Sequence, residues 1–217
     1  MIPLTEEELV ARARAIEGQT VGSLLLRSAP TDPVRTKGTA GETLERALGA
    51  SGTGAVHDFP ELAIELKTIP VTAENKPLES TYVCTLSLTD ADAQEWGSSW
   101  VKAKLARVLF VPLVGAHGIP WRERVVGPAL LWSPTGLQGD VLRGDFDDAI
   151  GLIGIGRIEE LTARGGRWLQ VRPKARDGSV RTVAWGGDGE AIATIPRGFY
   201  LRTLFTGAIL ADPSAVP

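Results

Sequence analysis

Val108-Leu-Phe-Val-Pro-Leu-Val114 contains no polar residue. A run of this kind reads as a strand buried on both faces, so the fold around it must supply a layer above and a layer below. A second strand is expected over 62–67, in Leu-Ala-Ile-Glu-Leu-Lys. Its alternation puts Leu62, Ile64 and Leu66 on one face and Glu65 and Lys67 on the other. Helical patterns are interleaved with these strands. Thr5-Glu-Glu-Glu8 reads as a capping box for a helix ending near Gly18, and a short helix after Thr20 carries Leu24, Leu25 and Leu26. Residues 41–48 suit a helix with Leu44 and Leu48, four apart, on its buried side. Residues 29–36, with Pro30 and Pro33, read as a linker, and 49–54 as a loop.

The second half gives a strand over 81–88, a loop at 89–97, helices over Trp100–Leu105 and 140–153, and a hairpin joining 157–162 to 167–172 around Arg164-Gly-Gly166. Residues 199–210 begin with an exposed Tyr200 and run into a closing helix; 212–217 read as a frayed end. The order is mixed α/β, without internal repeat. At 217 residues the chain can form a single domain, 1–217, with one sizeable core or two lobes.

Composition narrows the function. Hydrophobic content is 43% and charged content 23%, as in ordinary globular proteins. No apolar run reaches membrane-spanning length, and no basic region leads into an apolar stretch at the N-terminus, so neither a membrane anchor nor a signal peptide is expected. The single cysteine, Cys84, cannot form an internal disulfide, which suits a cytoplasmic location. No Cys/His cluster has zinc-site spacing, and His57 and His117 read as ordinary residues. A net charge of −3 argues against a tight nonspecific nucleic-acid binder. The charge is uneven, however. Residues 157–202 hold nine Lys/Arg and five Asp/Glu, so they carry +4 and the rest carries −7. A basic lobe facing a carboxylate-bearing one is compatible with a nuclease that needs a partner for recruitment.

The carboxylates concerned lie in Asp58-Phe-Pro-Glu-Leu-Ala-Ile-Glu65-Leu-Lys67. If the chain folds Asp58 back toward Glu65, the pair can hold one Mg²⁺, a hard ion that takes oxygen ligands and keeps waters. Lys67 would then stand where a cation can orient water and offset charge on an attacked phosphate. Taken alone, the triplet also fits a half-buried strand with ordinary surface charges.

The surrounding segments separate these readings. Glu65-Leu-Lys-Thr-Ile-Pro-Val71, Lys76-Pro-Leu-Glu79-Ser-Thr-Tyr82-Val-Cys84, Lys104-Leu-Ala-Arg-Val-Leu-Phe-Val-Pro112, Leu131-Trp-Ser-Pro134, Leu169-Gln-Val-Arg-Pro-Lys174 and Pro196-Arg-Gly-Phe-Tyr200 follow one another over nearly the whole chain. Together they resemble the MutH family of DNA mismatch-repair endonucleases. The resemblance implies a restriction-endonuclease-like α/β core with two lobes flanking a DNA-binding cleft. It implies a Mg²⁺-dependent nick in the unmethylated strand of double-stranded DNA at hemimethylated GATC, by a monomer activated by a MutL-type protein with MutS upstream. It places Asp58 and Glu65 at the metal, with Glu45, Lys67 and Lys104 completing the catalytic group. For DNA contact it implies Lys37 and Gly38, Tyr82 (Phe in a family member), Arg172, Pro173 and Lys174 as base readers, and Tyr200 as the sensor of adenine methylation. Two alternatives stay open: a GATC restriction-type enzyme that cuts both strands, and a sequence-specific DNA-binding protein without catalysis.

Overall fold

The computed structural model describes residues 1–27, 39–52 and 56–214. The expected linker at 29–36, Lys37, Gly38, part of the 49–54 loop and residues 215–217 of the expected frayed end lie outside them. In chain order the elements are α1 (Glu6–Ala15), α2 (Val21–Arg27), α3 (Thr39–Leu48), β1 (Glu65–Val71), β2 (Thr81–Leu86), α4 (Trp100–Leu105), β3 (Val108–Val114), β4 (Val125–Val126), β5 (Leu130–Trp132), α5 (Gly136–Gly154), β6 (Leu169–Pro173), β7 (Thr182–Trp185), β8 (Ala191–Thr194), β9 (Arg197–Leu201) and α6 (Thr203–Ala211).

β3 is the hub of the first sheet. It pairs in parallel with β1, Glu65 opposite Val108 and Val71 opposite Val114, and antiparallel with both β4 and β5. Its lack of a polar face has a direct cause: its side chains feed two cores in alternation. Leu109, Val111 and Leu113 join Ile64 and Leu66 against α1, α2 and α3, where Leu9, Leu24, Leu44 and Leu48 are buried. Val108 and Phe110 turn the other way, with Ile69 and Val71, onto Leu142, Phe146, Phe199 and Phe205. Burying one such side chain stabilises the fold by about 1.5–3 kcal/mol. Glu65 and Lys67 alternate with Leu66 and share the face of Ile69 and Val71, so they point toward the second core's side of the sheet.

The second sheet is antiparallel, in the order β2-β9-β6. An irregularity in β2 sets Tyr82 opposite Tyr200 but Cys84 opposite Phe199, so Val83 is an extra residue and both Val83 and Cys84 are buried. β7 and β8 form a separate two-stranded ribbon.

Several expectations need correction. The strand expected over 62–67 begins at Glu65, because Pro60–Leu62 forms a 3₁₀ turn and Ala63 adopts a left-handed φ of 53°. Residues 157–172 do not form a hairpin: Ile158–Glu160 is a 3₁₀ turn and β6 pairs with β9 instead. The buried Asp145 carboxylate captures the N–H groups of Arg167, Trp168 and Leu169 at 2.6, 2.7 and 2.8 Å, which leads the chain into β6 rather than back on itself. Gly166 permits this with φ +71°, where a Cβ would sit 1.8 Å from the Leu169 carbonyl oxygen. The helix expected over 140–153 starts earlier, at Gly136, because Thr135 and Gln138 form a capping box. The first helix ends at Ala15 rather than near Gly18, and the strand expected over 81–88 ends at Leu86. Tyr200 is half-buried rather than exposed and belongs to β9.

Candidate active site

A closed loop delivers Asp58 to the sheet. Phe59 and Ile64 exchange backbone hydrogen bonds of 3.0 and 3.2 Å, which folds residues 59–64 into a small hairpin-like turn. Asp58 returns beside β1, and its Oδ2 accepts the Leu66 N–H at 2.8 Å. Burial first, and the Glu65 charge second, hold its carboxyl above the usual aspartate range despite that bond.

Glu65 sits at the first position of β1 and is 2% exposed. A carboxylate so buried needs compensating charge. Two ammonium groups supply it. Lys67 Nζ donates to Oε1 at 2.5 Å, and Lys104 Nζ donates to Oε1 and Oε2 at 2.8 and 2.9 Å. Lys104 comes from α4, which Ser99 caps by accepting the Lys102 N–H at 3.1 Å. Its ammonium also donates to the Val56 carbonyl at 2.8 Å. The imidazole of His57 donates from Nε2 to the Ala103 carbonyl at 2.9 Å, so this histidine ties the loop to α4.

Glu45 faces the same region from α3. Burial first, then the neighbouring Asp58, Glu42 and Glu65 charges, push its carboxyl up to about 7. Glu45 and Asp58 thus ionise at a cost that a bound cation would relieve. Among the described residues no three His, Cys, Asp or Glu side chains form a ready metal cage. The donor set is hard carboxylate oxygen, which suits an ion that completes its sphere with water and substrate oxygens. Cys84 is close by, but burial pushes its thiol up to about 11, so it is no nucleophile at neutral pH.

A cleft of about 800 Å³ opens beside Lys67 and is lined by Glu45, Tyr82, Arg172, Pro173, Lys174 and Tyr200 among others. The structure therefore brings Tyr82, Tyr200 and the candidate base readers to the same cleft as Glu45 and Lys67, although they come from β2, β9 and β6 with the residue after it. Arg172 donates to Ser80 Oγ at 2.7 Å, which holds its guanidinium at the cleft wall. Tyr82 organises its neighbours in the cleft. Its ring meets Tyr200 edge-on with centroids 5.3 Å apart, carries the Lys174 ammonium 3.9 Å from its centroid, and shares a 2.9 Å hydrogen bond with Thr85. Gly198 makes room for this ring: a Cβ there would lie 3.1 Å from Tyr82 Cε2 and 2.9 Å from the Cys84 carbonyl oxygen. The Tyr200 phenol is raised by burial and by Tyr82, and so stays neutral.

Sequence reasoning missed Ser80, Thr85 and Asp145. Ser80 lies within a quoted motif and Thr85 directly after it, and both could have been flagged as hydroxyls near Tyr82; nothing local marked Asp145.

A family profile described as "DNA mismatch repair enzyme MutH" matches residues 49–145, the span from the end of α3 through Asp58, Glu65, Lys67 and Lys104. The DNA mismatch repair protein MutH of Serratia proteamaculans is 46% identical over 213 residues, covering 96% of this chain and 93% of that protein. The proteins of the same name from Yersinia enterocolitica and Yersinia pestis show the same identity and coverage. The chain belongs to the MutH family of DNA mismatch-repair endonucleases. MutH membership carries the restriction-endonuclease-like α/β fold, action on DNA within mismatch repair, and dependence on a divalent metal. No helix among the described residues is long and apolar enough to cross a membrane.

Proposed function

We propose that this protein nicks the unmethylated strand of hemimethylated GATC DNA with Mg²⁺, as one domain of two lobes acting in the cytoplasm as a monomer. The observation that carries the reading is the pair of ammonium groups on one buried carboxylate, Glu65, one of which, Lys67, lines the cleft walled by Arg172, Lys174 and Tyr200. Asp58 and Glu65 would hold the ion, with Glu45 beside them. When bound, the ion supplies positive charge to the phosphate under attack.

The chain's own groups do the rest. Lys67 and Lys104 balance the charge that develops on the phosphate, and Lys67 orients the attacking water. Their shared grip on Glu65 keeps both side chains in place before DNA arrives, so little reorganisation is needed. Arg172 and Lys174 suit guanine O6 and N7 in the major groove. Tyr200 offers a neutral aromatic surface against adenine N6, where an added methyl changes shape and donor count. Lys37 and Gly38 are proposed phosphate contacts outside the described residues. The net charge of −3 supports weak binding unaided and hence recruitment by a MutL-type partner, with MutS upstream.

Plasmid nicking with Mg²⁺ on unmethylated, hemimethylated and fully methylated GATC tests the proposal. Nicking of the first two but not the third is expected. Double-strand cleavage in one binding event would favour a restriction-type role, and no cleavage in any state would leave only DNA binding.

A further inference from the structure

A second cleft, of about 1030 Å³, adjoins the first. It contains Glu65, Lys67 and Lys104 but none of Arg172, Lys174 and Tyr200, and Lys67 and Tyr82 line both clefts. The two therefore meet at Lys67 and Tyr82, and only the first carries the base readers.

Trp100 lines the second cleft and is 54% exposed. A large aromatic ring left in water is a free contact surface beside a charged site. Its placement is fixed: Ser99 caps α4, so Trp100 is the first helical residue. Lys104 follows four positions later and projects from the same face, about 5–6 Å away at Cβ. The ring thus stands one helical turn from the ammonium that holds Glu65. Val183, 49% exposed, also lines the cleft and adds apolar surface. Ser98 and Thr182 contribute hydroxyls, which can donate to phosphate or sugar oxygens. No arginine lines this cleft among the described residues, so it has an aromatic face and hydroxyl donors, with the Asp90 and Glu95 carboxylates also in its lining, and no guanidinium for reading guanine.

We infer that this cleft is a nucleotide subsite, in which Trp100 stacks on a base of the nicked strand just outside GATC while the hydroxyls meet that nucleotide's backbone. The inference rests on the endonuclease reading above and names what lies on the far side of the cut. Stacking uses the π-face that every base has, so the subsite is sequence-tolerant. It favours flanking steps that unstack easily, such as pyrimidine–purine steps.

The test is binding at low salt without Mg²⁺, read by fluorescence anisotropy. One hemimethylated GATC duplex extends past the site on both sides; another stops at GATC on the side of the nick. Trp100→Ala should weaken binding of the extended duplex about tenfold and leave the short duplex unchanged, and Trp100→Phe should retain most of the affinity. With 2-aminopurine at the flanking position, the wild type and Trp100→Phe should change its fluorescence on binding, and Trp100→Ala should not. Equal affinity of Trp100→Ala and wild type for the extended duplex, or an equal loss on both duplexes, would overturn the subsite. A 2-aminopurine signal unaffected by Trp100→Ala would do the same. Failure of the endonuclease reading shows separately, as absence of Mg²⁺-dependent nicking at GATC by the wild type.

Discussion

Replacing Asp145 separates what holds the base-reading strand from what reads the bases. Its carboxylate is 8% exposed and accepts three N–H groups, from Arg167, Trp168 and Leu169. These three residues lead directly into β6, which carries Arg172, Pro173 and Lys174. They also set Trp168 against Phe205, stacked with centroids 4.6 Å apart. Asp145→Ala strands three donors, two of them in buried bonds. A buried donor without a partner costs about 1–3 kcal/mol, and water can reach the Arg167 side, so the total should be roughly 3–5 kcal/mol. In a chain of this size that lowers Tm by roughly 6–20 °C. Asp145→Asn keeps the shape and one oxygen but sets an amide donor against an N–H, and should cost about 1–3 kcal/mol. Urea unfolding followed by tryptophan fluorescence measures both, as a midpoint shift at constant slope. A loss of under about 0.5 kcal/mol in Asp145→Ala would refute the reasoning, since ordinary surface changes cost that little.

Three further outcomes follow from the site. Lys67→Ala should slow single-turnover nicking by about 10²–10³-fold while DNA binding persists, and Lys104→Ala should slow it less; a fall of only a few-fold in Lys67→Ala would return that residue to a structural role. Tyr82→Phe should keep GATC discrimination, whereas Tyr82→Ala, losing the ring under Lys174, should lower it by about 2- to 5-fold, the size of an exposed cation–π contact; wild-type discrimination in Tyr82→Ala would argue against that role. Glu45, raised from 4.5 to about 7, holds a proton in the folded protein that the unfolded chain has already released. Stability in EDTA should therefore fall as pH rises from 4.5 to 7 and stay lower above it, and Glu45→Gln should flatten that slope; parallel curves for the two proteins would contradict the assignment.

What the sequence revealed depended on how local each determinant is. β3 was legible residue for residue because an unbroken apolar run carries its own cause, and α4 because its limits were visible locally. Leu44 and Leu48 were placed correctly by helical spacing alone. β1 was misplaced at its start because Ala63 takes a left-handed turn that an alternating pattern does not disclose. The expected hairpin at 157–172 failed for a tertiary reason. Gly165 and Gly166 do mark a turn, but the partner of β6 is β9, and the group that steers the chain there is an aspartate on a different element. The chemistry-bearing residues were named from pattern and resemblance. Their geometry was not legible, since Lys104 lies 39 positions from Glu65 and meets it only because β1 and β3 run in parallel. Trp100 gave no signal, because exposure is a property of the fold.

The most direct measurement is strand-resolved nicking of a hemimethylated GATC duplex. Each strand carries its own label, and the enzyme is in excess with Mg²⁺. The account predicts one product, a nick beside GATC in the unmethylated strand, lost in Asp58→Ala and in Glu65→Ala. Cutting of the methylated strand at a comparable rate, or an undiminished nick in either variant, would contradict it.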